Sequence, residues 1–162
     1  MGWAYQLLPI NYIYSKAAKR IYQLRLLKRA GASTDTLVNV YKASIRPTME
    51  YACPAWHTNI TRAHSLLLES IQKKSLKIVF PESDYTSALD CSKLPTLHDR
   101  REDLCRTFFS GMLDPSHRLN TLLPVSKNST YMLRSQKQLT LPKCRTQRFK
   151  QSFIPYSLFN FQ

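Results

Sequence analysis

Glycine is scarce in this sequence: Gly2, Gly31 and Gly111 are the only ones in 162 residues. That excludes a phosphate-cradling loop or a dinucleotide fingerprint, both of which need several glycines within one short turn. Acidic side chains are also few, with 10 Asp and Glu against 24 Lys and Arg and a formal net charge of +14. The four cysteines, Cys53, Cys91, Cys105 and Cys144, lie far apart with no CxxC pair, so they read as reduced thiols and not as a disulfide framework. Cys53 and His57 make an i, i+4 pair that His64, or Cys91 with His98, would have to complete. Those spacings match no usual zinc pattern, so neither metal nor cofactor is expected. There is no apolar run of the roughly 18 residues a membrane span needs, and no secretion signal is read. The expected setting is intracellular, nuclear or cytoplasmic, with the sequons at Asn59 and Asn128 silent.

What is present is 43 % hydrophobic residues, enough for one modest core plus a tail. The positive excess favours a polyanionic partner such as nucleic acid, held through counterion release.

The chain reads as all-α, a bundle of about four helices with an extended basic C-terminal tail. From Ser15, read as an N-cap, to Ala30 the pattern is helical, and Gly31 supplies a left-handed stop. Ala17, Ile21 and Leu24 form one apolar face, while Ala18, Tyr22 and Leu26 form another, so this helix expects two neighbours. Between those faces stand Lys16, Lys19, Arg20, Arg25, Lys28 and Arg29.

A second helix is expected from Ser33 to about Cys53, with Leu37, Tyr41, Ile45, Thr48 and Ala52 on one face and Val38 and Met49 beside them. Pro47 falls inside it and removes one N–H, which predicts a kink or strong packing there. Pro54 is expected to close it. A third helix runs from about Thr61 to Phe80, with Leu67, Ile71 and Ile78 inward and Leu68 and Val79 adjacent, Lys73, Lys74 and Lys77 outward, and Glu69 paired with Lys73. After a turn at Tyr85 to Leu89, Thr96 and Asp99 form a capping box that opens a fourth helix. Arg101 falls in that helix's apolar stripe, where a buried guanidinium calls for a carboxylate such as Glu50. The neighbouring charges Asp99, Arg100, Glu102, Asp103 and Arg106 alternate in sign as on a solvated face.

Beyond Asp114 the character changes. A brief helix is expected at His117 to Leu123, and then Pro124, Pro142 and Pro155 break the rest into extended pieces. From Pro115 onward there are eight Lys or Arg (Arg118, Lys127, Arg134, Lys137, Lys143, Arg145, Arg148, Lys150) and no acid. Tyr131, Phe149, Phe153, Tyr156, Phe159 and Phe161 are interleaved with them. Basic groups track a phosphate backbone and rings stack on bases, so the mixture suits single-stranded nucleic acid. The same rings would equally serve as anchors on a helical core.

The segment IRPTMEYACPAW, Ile45 to Trp56, resembles the piece that follows the polymerase palm in reverse transcriptases of non-LTR (LINE-type) retrotransposons. In that family an arginine-proline, a glutamate-tyrosine and a closing tryptophan recur at this spacing. YSKAAKRIYQLRLLKRAG upstream is similar to the preceding helix, ESIQKKSLKIVFP to the next one, and LPTLHDRREDLC and RTQRFKQSFIPY to the closing segments in the same order. The resemblance covers residue 11 to the end and leaves 1–10 as an atypical start. It implies a thumb-like three-helix region over 11–81, a capped fourth helix and a short helix over 82–123, and the basic, aromatic tail over 124–162. The paired aspartates of the palm, with their preceding aromatic and alanine, are absent. The implied protein is therefore a truncated RNA-directed DNA polymerase without catalytic residues, at most a non-sequence-specific binder of RNA or RNA–DNA hybrid, with a reverse transcriptase palm as a further partner and no membrane. The candidate nucleic-acid-binding residues are Lys16, Lys19, Arg20, Lys28, Arg29, Lys73, Lys74, Lys77, Arg145, Arg148, Phe149, Lys150 and Phe153. Two other readings stay open. One is a helical protein-interaction module. The other is a segment similar to the N-terminal region of AlkB-type tRNA-modifying enzymes, whose iron-binding and methyl-donor motifs this sequence lacks.

Overall fold

A computed structural model describes residues 8–125 and 139–162. Those residues form nine α-helices: α1 (Leu8–Arg29), α2 (Thr34–Val40), α3 (Arg46–Glu50), α4 (Cys53–Trp56), α5 (Arg62–Val79), α6 (Tyr85–Ser92), α7 (Leu97–Met112), α8 (Gln147–Lys150) and α9 (Phe153–Asn160). The protein is all-α. It divides into two compact units, one of residues 1–53 and 60–101 and the other of 54–59 and 102–162.

In the first unit α1 begins well before Ser15, because Ile10 and Ile13 extend the buried stripe of Ala17, Ile21 and Leu24 at helical spacing. The helix has the two neighbours expected of it, α5 and the run from α2 to α3, but both meet its buried stripe; among the described residues Tyr22 stays 60 % exposed and Leu26 43 %. Gly31, at φ +80, ends the helix as expected. Around it Ala32 N–H donates to Leu27 O and Gly31 N–H to Lys28 O, each at 3.1 Å, which is the Schellman pattern. Ser33 then caps α2 through the Thr36 N–H.

The helix expected from Ser33 to Cys53 has two interruptions, the first at the place where Pro47 predicts a kink or strong packing. Residues Tyr41–Ile45 form a π turn in which Arg46 N–H reaches back to Tyr41 O, one residue further than in an α-helix. This widened turn lies immediately before Pro47, where the ladder loses a donor, and it lets the helix continue through the proline. The second interruption comes at Tyr51 and Ala52, the latter at φ +50. Pro54 therefore does not close a helix; it sits in the first turn of the short α4, where its missing N–H costs nothing.

Leu37, Tyr41, Ile45 and Met49 are buried, as are Leu68, Ile71 and Leu76 of α5; α1 packs on α5 and on the run from α2 to α3, and α2 also meets α5. Leu68, Ile71 and Val79 of the expected α5 face are buried, but the face is turned slightly, leaving Leu67 and Ile78 half-buried and carrying Glu69, Gln72 and Ser75 inside. Ser75 is satisfied within α5, donating to Ile71 O at 2.8 Å, and Glu69 and Gln72 are satisfied by one network. Tyr41 donates to Gln72 Oε1 at 2.6 Å, Gln72 donates to Pro95 O at 2.9 Å and to the Tyr85 hydroxyl at 3.1 Å, and Tyr85 donates to Glu69. Burial raises the Tyr41 and Tyr85 phenols well above their ordinary values. Glu69 does not pair with Lys73: its carboxylate accepts the N–H groups of Leu97 (3.1 Å) and His98 (3.2 Å) at the start of α7, where the helix dipole favours an anion.

Thr96 caps α7 as expected, its hydroxyl accepting the Asp99 N–H at 3.1 Å, while the Asp99 carboxylate accepts that hydroxyl at 2.7 Å in place of the Thr96 N–H of a full capping box. Arg101 is fully buried, as its place in the stripe implies, but it bonds Ser65 Oγ at 2.8 Å. Glu50 is held instead by Arg46 at 2.6 Å and Arg100 at 3.3 Å.

In the second unit Cys105, Phe109 and Met112 are buried with Leu158. Residues 147–160, expected to be extended, fold into α8 and α9. Pro155 lies in the first turn of α9, a position that tolerates proline. The His117 to Leu123 stretch gives only a 3-10 turn at Asn120–Leu122. Phe153 meets Phe108 at 5.6 Å between ring centroids, Tyr156 meets Phe161 at 5.7 Å, and Phe161 meets Phe109 at 6.3 Å. Glu102 is not on a solvated face: it takes His57 Nε2 at 3.0 Å and the Tyr156 hydroxyl at 2.8 Å. Lys127, Asn128, Tyr131, Arg134 and Lys137 fall outside the described residues.

Candidate nucleic-acid interface

α1 contains six cations and no acid, and the first acid in the whole sequence is Asp35. Helical spacing places Tyr12, Lys16, Lys19 and Gln23 on one face, opposite the buried stripe. Lys16 and Lys19 are exposed, Tyr12 is 65 % exposed, and the Lys16 ammonium stands 5.6 Å from the Tyr12 ring centre. Tyr22 and Leu26 border the same face. Amphipathic rings beside ammonium groups are the components that hold a nucleic-acid strand by stacking and charge. Arg29 is exposed at the end of the helix.

Two cations of the same helix work inside the fold. The Arg20 guanidinium donates to Ser44 O and to Thr48 Oγ1, on the turns around Pro47. Lys28 is half-buried, and its ammonium donates to Val79 O at 3.3 Å, near the end of α5. Like-charged neighbours on one helix thus divide into a structural pair and a solvent-facing set.

Lys73, Lys74 and Lys77 are exposed on α5 and line a single cleft of about 340 Å³ with Ser83, Asp84 and Tyr85. Lys73 stands 5.0 Å from the Tyr85 ring centre, and Lys74 donates to the Tyr14 hydroxyl at 3.3 Å. None of the three forms an ion pair with a described carboxylate. Asp84 caps α6; hydrogen bonds from Ser87 and Thr86 hold its carboxyl below the usual range, so the cleft keeps one fixed negative charge against three positive ones. Tyr14, which meets Lys74, lies on a different face of α1 from Tyr12 and Lys16, so the cleft and the α1 face are separate patches.

In the second unit Arg145, Arg148 and Lys150 are exposed, Phe149 is 47 % exposed, and Lys150 stands 5.2 Å from the Phe159 ring centre. Phe153 is half-buried against Phe108, which puts it in the anchoring role and leaves Phe149 as the ring available for stacking. Residues that charge counting passed over are Tyr12, Tyr14 and Tyr85. The signal for Tyr12 was its i, i+4 relation to Lys16; Tyr85 had none, because its lysine comes from another helix. Among the described residues no cluster of three His, Cys, Asp or Glu is placed to hold a metal ion, and no helix is long and apolar enough to cross a membrane. Compared with family models, curated proteins and solved structures, the chain matches none.

Proposed function

We propose that this chain corresponds to the post-palm, thumb-like region of a non-LTR retrotransposon reverse transcriptase, and that it binds RNA or RNA–DNA hybrid without sequence preference. The observation that carries the binding is the solvent-facing basic surface of the first unit. Lys73, Lys74 and Lys77 converge on one cleft with no ion pair to a described carboxylate, and the α1 face presents Tyr12 beside Lys16. Such a surface contacts phosphates and base faces but offers no fixed donor and acceptor pattern to read a base edge, so sequence preference is not expected. The chain contains no paired aspartates to hold two metal ions, and by this reading it does not extend a primer by itself.

The test is a binding titration with a single-stranded RNA over a range of salt. Changing Lys73, Lys74 and Lys77 together to Gln should weaken binding at low salt by more than tenfold. It should also flatten the plot of log affinity against log salt by about 0.7 for each phosphate that is no longer neutralised. Arg20→Gln, by contrast, should lower the melting point. An unchanged salt slope in the triple variant would refute the assignment to α5. Deleting residues 124–162 would be a poor test, since it removes the buried Leu158 and the partners of Phe108 and Phe109.

A further inference from the structure

The second unit carries a groove of about 560 Å³ whose walls come from the end of α7, the 3-10 turn at Asn120–Leu122, Pro142 and the α8–α9 segment. Its volume lies within the range of about 300–1,000 Å³ typical of ligand-holding clefts. Phe108, Leu119, Leu122, Phe149 and Phe153 supply much of its surface, and four of these rings and chains are open to water, at 37 %, 37 %, 58 % and 47 % for Phe108, Leu119, Leu122 and Phe149. So many large apolar groups left exposed side by side mark an interaction surface. The groove plays no part in the basic patches of the first unit.

Charge selects the occupant. Arg118 adjoins Leu119, Lys143 adjoins Pro142, and Arg148 and Lys150 flank Phe149; all four cations are exposed. No acid follows Asp114, whose own carboxylate is folded onto the Ser116 N–H and hydroxyl at 2.8 Å each. A second copy of a chain carrying +14 meets repulsion here. Backbone form selects further. The walls are side chains of helices and turns, so an extended peptide would bring its N–H and C=O groups against apolar surface, whereas a helix satisfies its own.

We propose that this groove is a docking site for an acidic amphipathic helix of a partner protein, with apolar side chains in the groove and carboxylates on the Arg118, Lys143, Arg148 and Lys150 rim. The proposal stands whether or not the chain binds nucleic acid.

The test uses the full chain and a fluorescent helical peptide of about 18 residues, with leucines at i, i+3, i+4 and i+7 and glutamates on the remaining face. Fluorescence anisotropy at physiological salt should give a micromolar dissociation constant, and a scrambled peptide of the same composition should bind at least tenfold more weakly. Leu122→Ser and Phe149→Ser, both at exposed positions, should each weaken binding about tenfold with the melting point retained, and R118E with K150E should do the same through the rim. Equal binding of the scrambled peptide would show charge alone and overturn the site. Unchanged affinity in both groove variants would overturn it also. Displacement of the peptide by stoichiometric oleate, with oleate binding abolished in L122S, would assign the groove to a lipid and overturn the helical partner.

Discussion

Glu69 is the side chain whose removal the fold should tolerate least for its size. It lies on α5 at 9 % exposure, and it accepts two N–H groups from the first turn of α7 and the hydroxyl of Tyr85. A buried donor left without its acceptor costs about 1–3 kcal/mol, and a carboxylate at a partly buried helix N-terminus adds up to about 2 kcal/mol. Glu69→Ala should therefore cost about 3–5 kcal/mol, against a total stability of about 5–15 kcal/mol for a domain of this kind. Glu69→Gln keeps the volume and one acceptor oxygen but points an amide N–H₂ at other donors, so it should cost about 1–3 kcal/mol.

The assay is urea unfolding followed by far-UV circular dichroism. With a slope of about 1–3 kcal/mol per molar urea, the alanine variant should move the midpoint down by at least about 1 M. Lys73→Ala is the control. Were Glu69 merely the i, i+4 partner of Lys73 on a solvated helix face, each substitution would cost less than about 0.5 kcal/mol. An E69A chain within about 0.5 kcal/mol of the parent would refute the inward carboxylate and with it the tie between α5 and α7.

Three further outcomes are expected. Ile45→Ala and Leu68→Ala, at 1 % and 0 % exposure, should each cost about 2–5 kcal/mol in the same unfolding measurement, and the half-buried Leu67→Ala visibly less. Phe153→Leu should lower the melting point because its ring packs on Phe108, while Phe149→Leu should leave it unchanged; the reverse order would return Phe153 to the solvent. The Tyr156 phenol is pushed up to about 12 by partial burial, then by its bond to Glu102 and that carboxylate's charge. A folded value above the unfolded one of about 10 favours the protonated form, so the stabilisation is complete below pH about 10 and is lost as pH rises toward 12. Alkaline unfolding should show wild type losing its advantage over Tyr156→Phe across that window. A constant difference would show that the phenol does not titrate late.

Those features that rest on local chemistry were legible in the sequence. The stop at Gly31, the helix starts at Ser33 and Thr96, and the buried stripe of Ala17, Ile21 and Leu24 each depend on residues within a few positions of one another. Features set by tertiary partners were not. Periodicity alone centred the α5 stripe on Leu67, Ile71 and Ile78 with Leu68 and Val79 beside them, which finds the buried Leu68, Ile71 and Val79. It treats Glu69 and Gln72 as outward, since it cannot see that α7, Tyr41, Tyr85 and Pro95 supply their bonds. Pro54 and Pro155 looked like terminators, yet both stand in the first turn of a helix, because a proline disfavours the helix before it and suits the helix after it. The run from Ser33 to Cys53 reads as one continuous helix, whereas Ala52 in the left-handed region divides it.

The candidate interface was half-legible for the same reason, and the half that was missed bears on how basic proteins are read. Lys16, Lys19, Arg20, Lys28 and Arg29 are indistinguishable as charges on one helix, but Arg20 serves a carbonyl 24 positions away and Lys28 one 51 positions away. Both targets are carbonyls close to places where helical bonding is interrupted, at the π turn before Pro47 and at the end of α5. A cation held against such carbonyls contributes its field to a nucleic acid without reaching out to a phosphate, so it should add little to the salt slope. The slope for the α1 face should therefore report two lysines and Arg29, not five cations. Lys16→Gln with Lys19→Gln should flatten it by about 1.4 on single strands, at about 0.7 for each phosphate, while Lys28→Gln should leave it in place and lower the melting point instead. A slope that falls equally for Lys28 would place that ammonium on phosphate and away from Val79.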